Sequence, residues 1–245
     1  MVEKQYLFKK VQELFEDVDL SSVIYGGSNC FSDEYYNDEI LEDFALEIGA
    51  ECASGVSKMV FFFEEFPDYV IKIPFKGTSS QDENYEVSIE EEFRGADRYF
   101  SIPNVHSWDY CETEARYYDL AVLDGVEDFF AGTFFLGTIQ KHPVYYSERV
   151  ENSLDNILWN DDALFADESS SKIAENLYRE YGYNSTETYT FKNIISYMVE
   201  KYGEKRTDSF LHFLKTNHIQ DFHDGNFGIC SDGSIKIIDY SSWRG

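Results

Sequence analysis

Residues 219–243, IQDFHDGNFGICSDGSIKIIDYSSW, decide how the rest of the chain reads. Asp221 stands five residues before Asn226, and Asp239 follows thirteen later. Between them, Gly225 and the turn Ser231-Asp232-Gly233-Ser234 bracket two short apolar runs, 227–230 and 235–238. A turn of this composition between two such runs predicts loop, strand, hairpin turn, strand. The second strand delivers Asp239 at its end, while Asp221 and Asn226 lie on the loop before the first strand. Three oxygen-bearing side chains are therefore expected at one edge of the hairpin. Magnesium takes hard oxygen ligands, few of them from protein, with phosphate and water completing its shell. One Asp and one Asn meet that need, and a second Asp is left over as a base.

Upstream, residues 69–75, YVIKIPF, read as an apolar strand with Lys72 inside it. A lysine in such a run is unusual unless its ammonium has a partner; the plainer reading is an edge-strand lysine that discourages pairing with other chains. A hairpin is expected before it, with a first strand at 46–48, a connecting loop at 49–58 and a second strand at 59–63. That loop carries Gly49, Ser54, Gly55 and Ser57, small residues that let backbone amides approach phosphate oxygens. Residues 109–121, DYCETEARYYDLA, place Glu114, Tyr118 and Ala121 at i, i+4 and i+7, one face of a helix.

Taken together, the segment 221–239, the small-residue loop and the strand lysine resemble the protein-kinase-like superfamily. The resemblance implies that Asp221 accepts the proton of an acceptor hydroxyl, that Asn226 and Asp239 hold Mg2+, and that Lys72 orients the phosphates of ATP. It implies a glutamate partner for Lys72. Glu86, Glu90, Glu91 and Glu92 come first along the chain, and Glu114 is preferred because of its helical face. It also implies a hinge at Glu148, Arg149 and Val150, whose backbone meets the adenine, after strands at 134–136 and 144–147. Ile219-Gln220 stands where a eukaryotic protein kinase has His-Arg, and Tyr240-Ser241 follows Asp239 in place of Phe-Gly. His223 instead resembles the Asp-x-His-x-x-Asn of aminoglycoside phosphotransferase-like proteins. Its imidazole is either a loop-orienting group, the preferred reading, or the base itself. The stretches 109–121, 129–137 and 142–150 are similar to short kinase-like proteins encoded by bacteriophages.

The expected fold class is therefore α+β: a bilobal kinase-like domain with a β-rich N-lobe and a truncated, mostly helical C-lobe. Residues 1–44 are expected to form a leader helix (4–18, with Leu7, Phe8, Val11, Leu14, Phe15 and Val18 at helical spacing) and an acidic connector. Residues 45–150 form the N-lobe with an insertion at 76–108, and 151–245 the C-lobe, with a polar loop at 160–171 and helices at 172–180, 191–202 and 207–217. Only six residues follow Asp239, so the expectation is that no activation segment exists and that residues 151–220, the acidic insertions or a partner recognise the acceptor.

Composition narrows the partners. A formal charge of −27, from 47 acidic against 20 basic residues, argues against direct nucleic-acid binding, because phosphate contacts need Lys and Arg. It invites a basic host or defence protein, gripped by a carboxylate surface that mimics the phosphates of DNA. A nucleotide-binding pseudokinase or acidic inhibitor is thus the alternative to an active phosphotransferase, and solubility is the plainest reading of the charge. No apolar run approaches the ~20 residues of a membrane span. The four cysteines, Cys30, Cys52, Cys111 and Cys230, have no paired spacing, which points to a reducing cytoplasm.

Overall fold

The computed structural model describes residues 2–20, 38–54, 58–74, 110–150, 152–153, 167–181, 188–219, 224–230 and 232–240. The expected insertion at 76–108, with Glu86, Glu90, Glu91 and Glu92, lies outside the described residues, as do Asp221 and His223. The described residues mix α and β: six α-helices, a five-stranded antiparallel sheet and a three-stranded sheet. They divide into two units, Met1–Glu112 with Phe134–Ser147, and Thr113–Thr133 with Glu148–Gly245. Residues 113–133, grouped above with the strand-rich half, thus pack in the second unit.

In the first unit, α1 (Val2–Leu14) turns Leu7 and Val11 inward, one helical turn apart. The expected helix ran to residue 18 but stops at Leu14, and a distant side chain holds the segment that follows. The Gln140 Nε2 donates to the Phe15 carbonyl at 2.8 Å and to that of Val18 at 2.6 Å, while its Oε1 accepts from the Leu20 N–H at 3.0 Å. Gln140 and Lys141 have φ of 48° and 69°, both left-handed, as a two-residue hairpin turn requires. That turn joins β4 (Thr133–Ile139) to β5 (His142–Glu148).

The expected first strand at 46–48 is instead the end of a helix, α2 (Asp38–Glu47). Phe44 and Ile48, four apart, are buried, whereas Leu46 is 79% exposed. Gly49, at φ 69°, ends this helix: the Ala50 N–H reaches back to the Ala45 carbonyl at 2.8 Å and the Gly49 N–H to that of Leu46 at 3.1 Å. Only then does β1 (Glu51–Ser54) begin, followed by β2 (Lys58–Phe62) and β3 (Tyr69–Pro74). The sheet order is β1-β2-β3-β5-β4. Phe61 pairs with Ile71 and Met59 with Ile73, so these four side chains share one face and enter a core with Phe15, Phe44, Leu136 and Val144. Three rings lock it, Phe15, Phe44 and Phe61, at centroid separations of 5.8 to 6.1 Å.

The second unit is built on α3 (Tyr110–Asp124, entering it at Thr113), α4 (Glu168–Tyr181), α5 (Thr188–Tyr202) and α6 (Glu204–Thr216). Residues 168–171, expected in a loop, are the first turn of α4. Asp167 caps that turn by accepting the Ser170 N–H at 2.7 Å, a bond that holds the Asp167 carboxyl below its ordinary range. Helix α5 runs into α6 through Gly203 at φ 84°. The small sheet is β6 (Asn152–Ser153), β7 (Phe227–Ile229) and β8 (Ile235–Ile237), in that order, and β6 was not expected. Phe129, Phe130, Phe210, Phe213, Phe227, Ile235 and Ile237 are all buried in one core, with Phe129 stacked on Phe210 at 4.6 Å. Among the described residues no helix is long and apolar enough to cross a membrane.

Candidate functional site

The hairpin expected between Asn226 and Asp239 forms. Phe227 pairs with Ile237 and Ile229 with Ile235, and the turn closes through the Cys230 N–H to the Ser234 carbonyl at 2.9 Å. Asp232 accepts from both the Ser234 N–H (2.7 Å) and its hydroxyl (2.6 Å), which lowers the Asp232 pKa; Gly233, at φ 76°, makes the reversal. From outside the hairpin, the Tyr197 hydroxyl donates to the Gly233 carbonyl at 2.9 Å and the Lys201 ammonium to that of Asp232 at 2.9 Å. The turn end is thus held by α5.

The opposite end carries the proposed ligands. Asn226 ends a 3-10 turn, Asp224–Asn226, and its side chain is buried. Its carbonyl accepts the Ile238 N–H at 2.8 Å, extending the ladder by one bond past the paired strands. Asn226 therefore stands opposite Ile238, and the half-buried Asp239 is the next residue. By backbone position, the register brings Asn226 and Asp239 to the same end of the hairpin. Both donors are hard oxygens, the chemistry that Mg2+ requires. Among the described residues no three His, Cys, Asp or Glu side chains gather to hold a metal alone. Were Mg2+ held by these two side chains, phosphate and water would complete its shell.

Directly after Asp239, Tyr240 is fully buried and its hydroxyl donates to the Ala131 carbonyl at 3.0 Å. Its ring meets Phe130 edge-on at 5.0 Å. Burial, and after it the neighbouring Glu114, push the phenol pKa well above its ordinary value, so it stays a neutral donor at physiological pH. Glu114, on α3, is itself fully buried and accepts from the Thr133 Oγ1 at 3.0 Å. A second backbone tie runs from the Ala131 N–H to the Ile237 carbonyl at 2.9 Å. The segment 130–133 thus clamps both sides of Asp239. Sequence reading named Glu114, noted Tyr240 without giving it a role, and passed over Thr133. The available signal was the tyrosine itself, directly after Asp239.

Tyr240→Phe tests the clamp, because it removes one hydroxyl and leaves the Ala131 carbonyl buried without that donor. The expected cost is about 1 to 3 kcal/mol in urea unfolding. An unchanged midpoint would mean that the ring alone holds Asp239.

The remaining expected residues are placed as follows. Lys72 lies on β3 of the first unit with its side chain buried. Glu148 ends β5 and falls in the second unit, where its N–H donates to the Gly132 carbonyl at 3.2 Å and its carboxylate receives the Lys236 ammonium at 2.7 Å. Val150 follows in irregular, partly exposed backbone. Of the small-residue loop, Gly49 belongs to the helix stop described above and Ser54 to β1, because the strand starts later than expected; Gly55 and Ser57 are outside the described residues. Comparison with known proteins finds no match to this chain among protein-family models, curated proteins or solved structures.

Proposed function

We propose that the chain is an ATP-dependent, kinase-like phosphotransferase that transfers the γ-phosphoryl group to a hydroxyl acceptor, and that it is a phage-type protein acting on a host target. The observation that carries this reading is the hairpin of β7 and β8, with Asn226 opposite Ile238 at one end and Asp239 the next residue, and with Asp221 five residues before Asn226 in sequence. Two further features support it. The third strand of the five-stranded sheet carries a buried lysine, Lys72, and the next described helix carries a buried glutamate, Glu114, the two residue types that the resemblance implies at these elements. Magnesium held at Asn226 and Asp239 would offset the charge of the ATP phosphates. Asp221 takes the acceptor's proton, and Lys72 orients the phosphates.

Calorimetry with and without EDTA tests the metal site. Wild-type protein is expected to bind ATP more tightly with Mg2+, and Asp239→Asn to reduce that gain by about tenfold or more, the worth of one charged contact. Metal-independent binding, or none at millimolar ATP, would sink it. Incubation with radiolabelled ATP, with and without host lysate, then identifies the acceptor. The charge of −27 favours a second reading, a nucleotide-binding pseudokinase or acidic inhibitor that holds a basic host protein. ATP binding without transfer to any acceptor would select it.

A further inference from the structure

Residues 113–133 form one segment of the second unit, and buried polar groups close its two ends on each other. Glu114 is its second residue and Thr133 its last. The Thr133 hydroxyl donates to the Glu114 carboxylate at 3.0 Å, and both residues are shut off from water. A carboxylate taken out of water needs donors held in place, and a hydrogen bond to a charged group is worth more than a neutral one. Tyr240 meets the same end of the segment from the hairpin. Its hydroxyl donates to the Ala131 carbonyl, and Thr133 lies close enough to act on the phenol oxygen through both its side chain and its backbone. Thr133 therefore stands between a buried carboxylate on α3 and the residue directly after Asp239. A hydroxyl suits that place because it donates in one direction while its oxygen accepts in another. Valine has the same shape and neither capacity.

We infer that Thr133 is a positioning residue for Asp239: its hydroxyl links Glu114 to Tyr240 and so fixes the end of β8. Glu114 thereby takes a role inside the second unit that the resemblance does not give it, as the anchor of the hairpin end from α3. That the fixed residue is a magnesium ligand rests on the nucleotide reading above; that its backbone is fixed does not. Two backbone bonds report this position without any ligand. They are the Ala131 N–H to the Ile237 carbonyl at 2.9 Å and the Ile238 N–H to the Asn226 carbonyl at 2.8 Å. At the far turn of the same hairpin, the Cys230 N–H to the Ser234 carbonyl serves as the internal reference.

The test compares wild type, Thr133→Val, Thr133→Ser and Glu114→Gln by amide hydrogen exchange and by ATP calorimetry with and without Mg2+, well below each thermal midpoint. In Thr133→Val the Ala131 and Ile238 amides are expected to exchange about 10- to 100-fold faster, the worth of a hydrogen bond to a charged group, while the Cys230 amide keeps its rate. The Mg2+-dependent gain in ATP affinity is expected to fall about tenfold, the lower end for residues that orient a metal ligand. Thr133→Ser restores the hydroxyl and is expected to recover both. Should Thr133→Val fail to fold, Glu114→Gln, which keeps the shape and removes the charge, carries the same expectation. Unchanged exchange, or exchange that quickens equally at all three amides, would overturn the positioning role, as would a serine variant that recovers nothing. Selective exchange with the Mg2+ gain intact in the variants would also overturn it. Selective exchange in a protein whose wild type binds ATP without regard to Mg2+ would uphold the fixing of Asp239 and overturn the magnesium reading.

Discussion

Asp221→Asn is expected to lower phosphoryl transfer by about 10²- to 10⁴-fold, equivalent to roughly 3 to 5 kcal/mol of barrier, while ATP affinity changes little. The amide keeps the size of the carboxylate and some of its hydrogen bonding, but it cannot take a proton at neutral pH. Asp221 precedes Asn226 by five residues and is assigned no part in the metal site, so metal-dependent binding should survive. Single-turnover transfer and MgATP calorimetry on the same preparation separate the two effects. His223→Asn is the control, and a loss as large as that of Asp221→Asn, with folding intact, would make the imidazole the base. Equal losses of affinity and rate in Asp221→Asn would instead place Asp221 among the ligand-binding groups.

Phe130→Ala is expected to destabilise the second unit by about 3 to 5 kcal/mol, the usual cost of emptying a buried aromatic site. Phe130 is 1% exposed and meets Phe210, Phe213 and Tyr240 at 5.7, 5.4 and 5.0 Å. Its backbone also bridges Ile237, two residues before Asp239. The cavity therefore opens beneath the strand that carries the proposed metal ligand. Urea unfolding should show the lost stability, and calorimetry should show weakened Mg2+-dependent ATP binding even well below the midpoint. A loss under about 1 kcal/mol would mean that the surrounding rings collapse into the space, and that the hairpin is held chiefly by its ties to α5.

The terminal hairpin and the three helices α4, α5 and α6 were legible because short-range rules produce them. An Asp-Gly turn between apolar runs and apolar residues at helical spacing need no distant partner to be recognised. The end of α2 was misread because Leu46 and Ile48 alternate like a strand, while Phe44 and Ile48 obey the helical period; Gly49 arbitrates, as a helix stop. The first turn of α4 was misread because its serines look like a loop until Asp167 is seen to cap them. Other features depend on residues far apart in sequence, and no local pattern carries them. The segment after α1 is held by Gln140, β6 pairs with β7 at Ile229, and Tyr240 is seated on Ala131. In the candidate site the spacing of Asn226 and Asp239 was readable, whereas the pairing of Asn226 with Ile238 required the strand register.

The tie between Gln140 and the segment 15–20 also constrains how this chain folds as it is made. Leu20 and Gln140 are 120 residues apart, and β5, the strand beside β3, is synthesised only after all of residues 113–133. A nascent chain that has emerged to residue 132 holds three strands of the five-stranded sheet, with β3 as a bare edge exposing Val70, Ile71 and Ile73. Such an edge invites pairing with other chains, and contacts of this sequence separation slow folding. The first unit to begin is thus the one that cannot finish until part of the second has already been threaded through the ribosome. A chain interrupted between these points presents the unpaired edge of β3, which β5 covers once residues up to 148 are made.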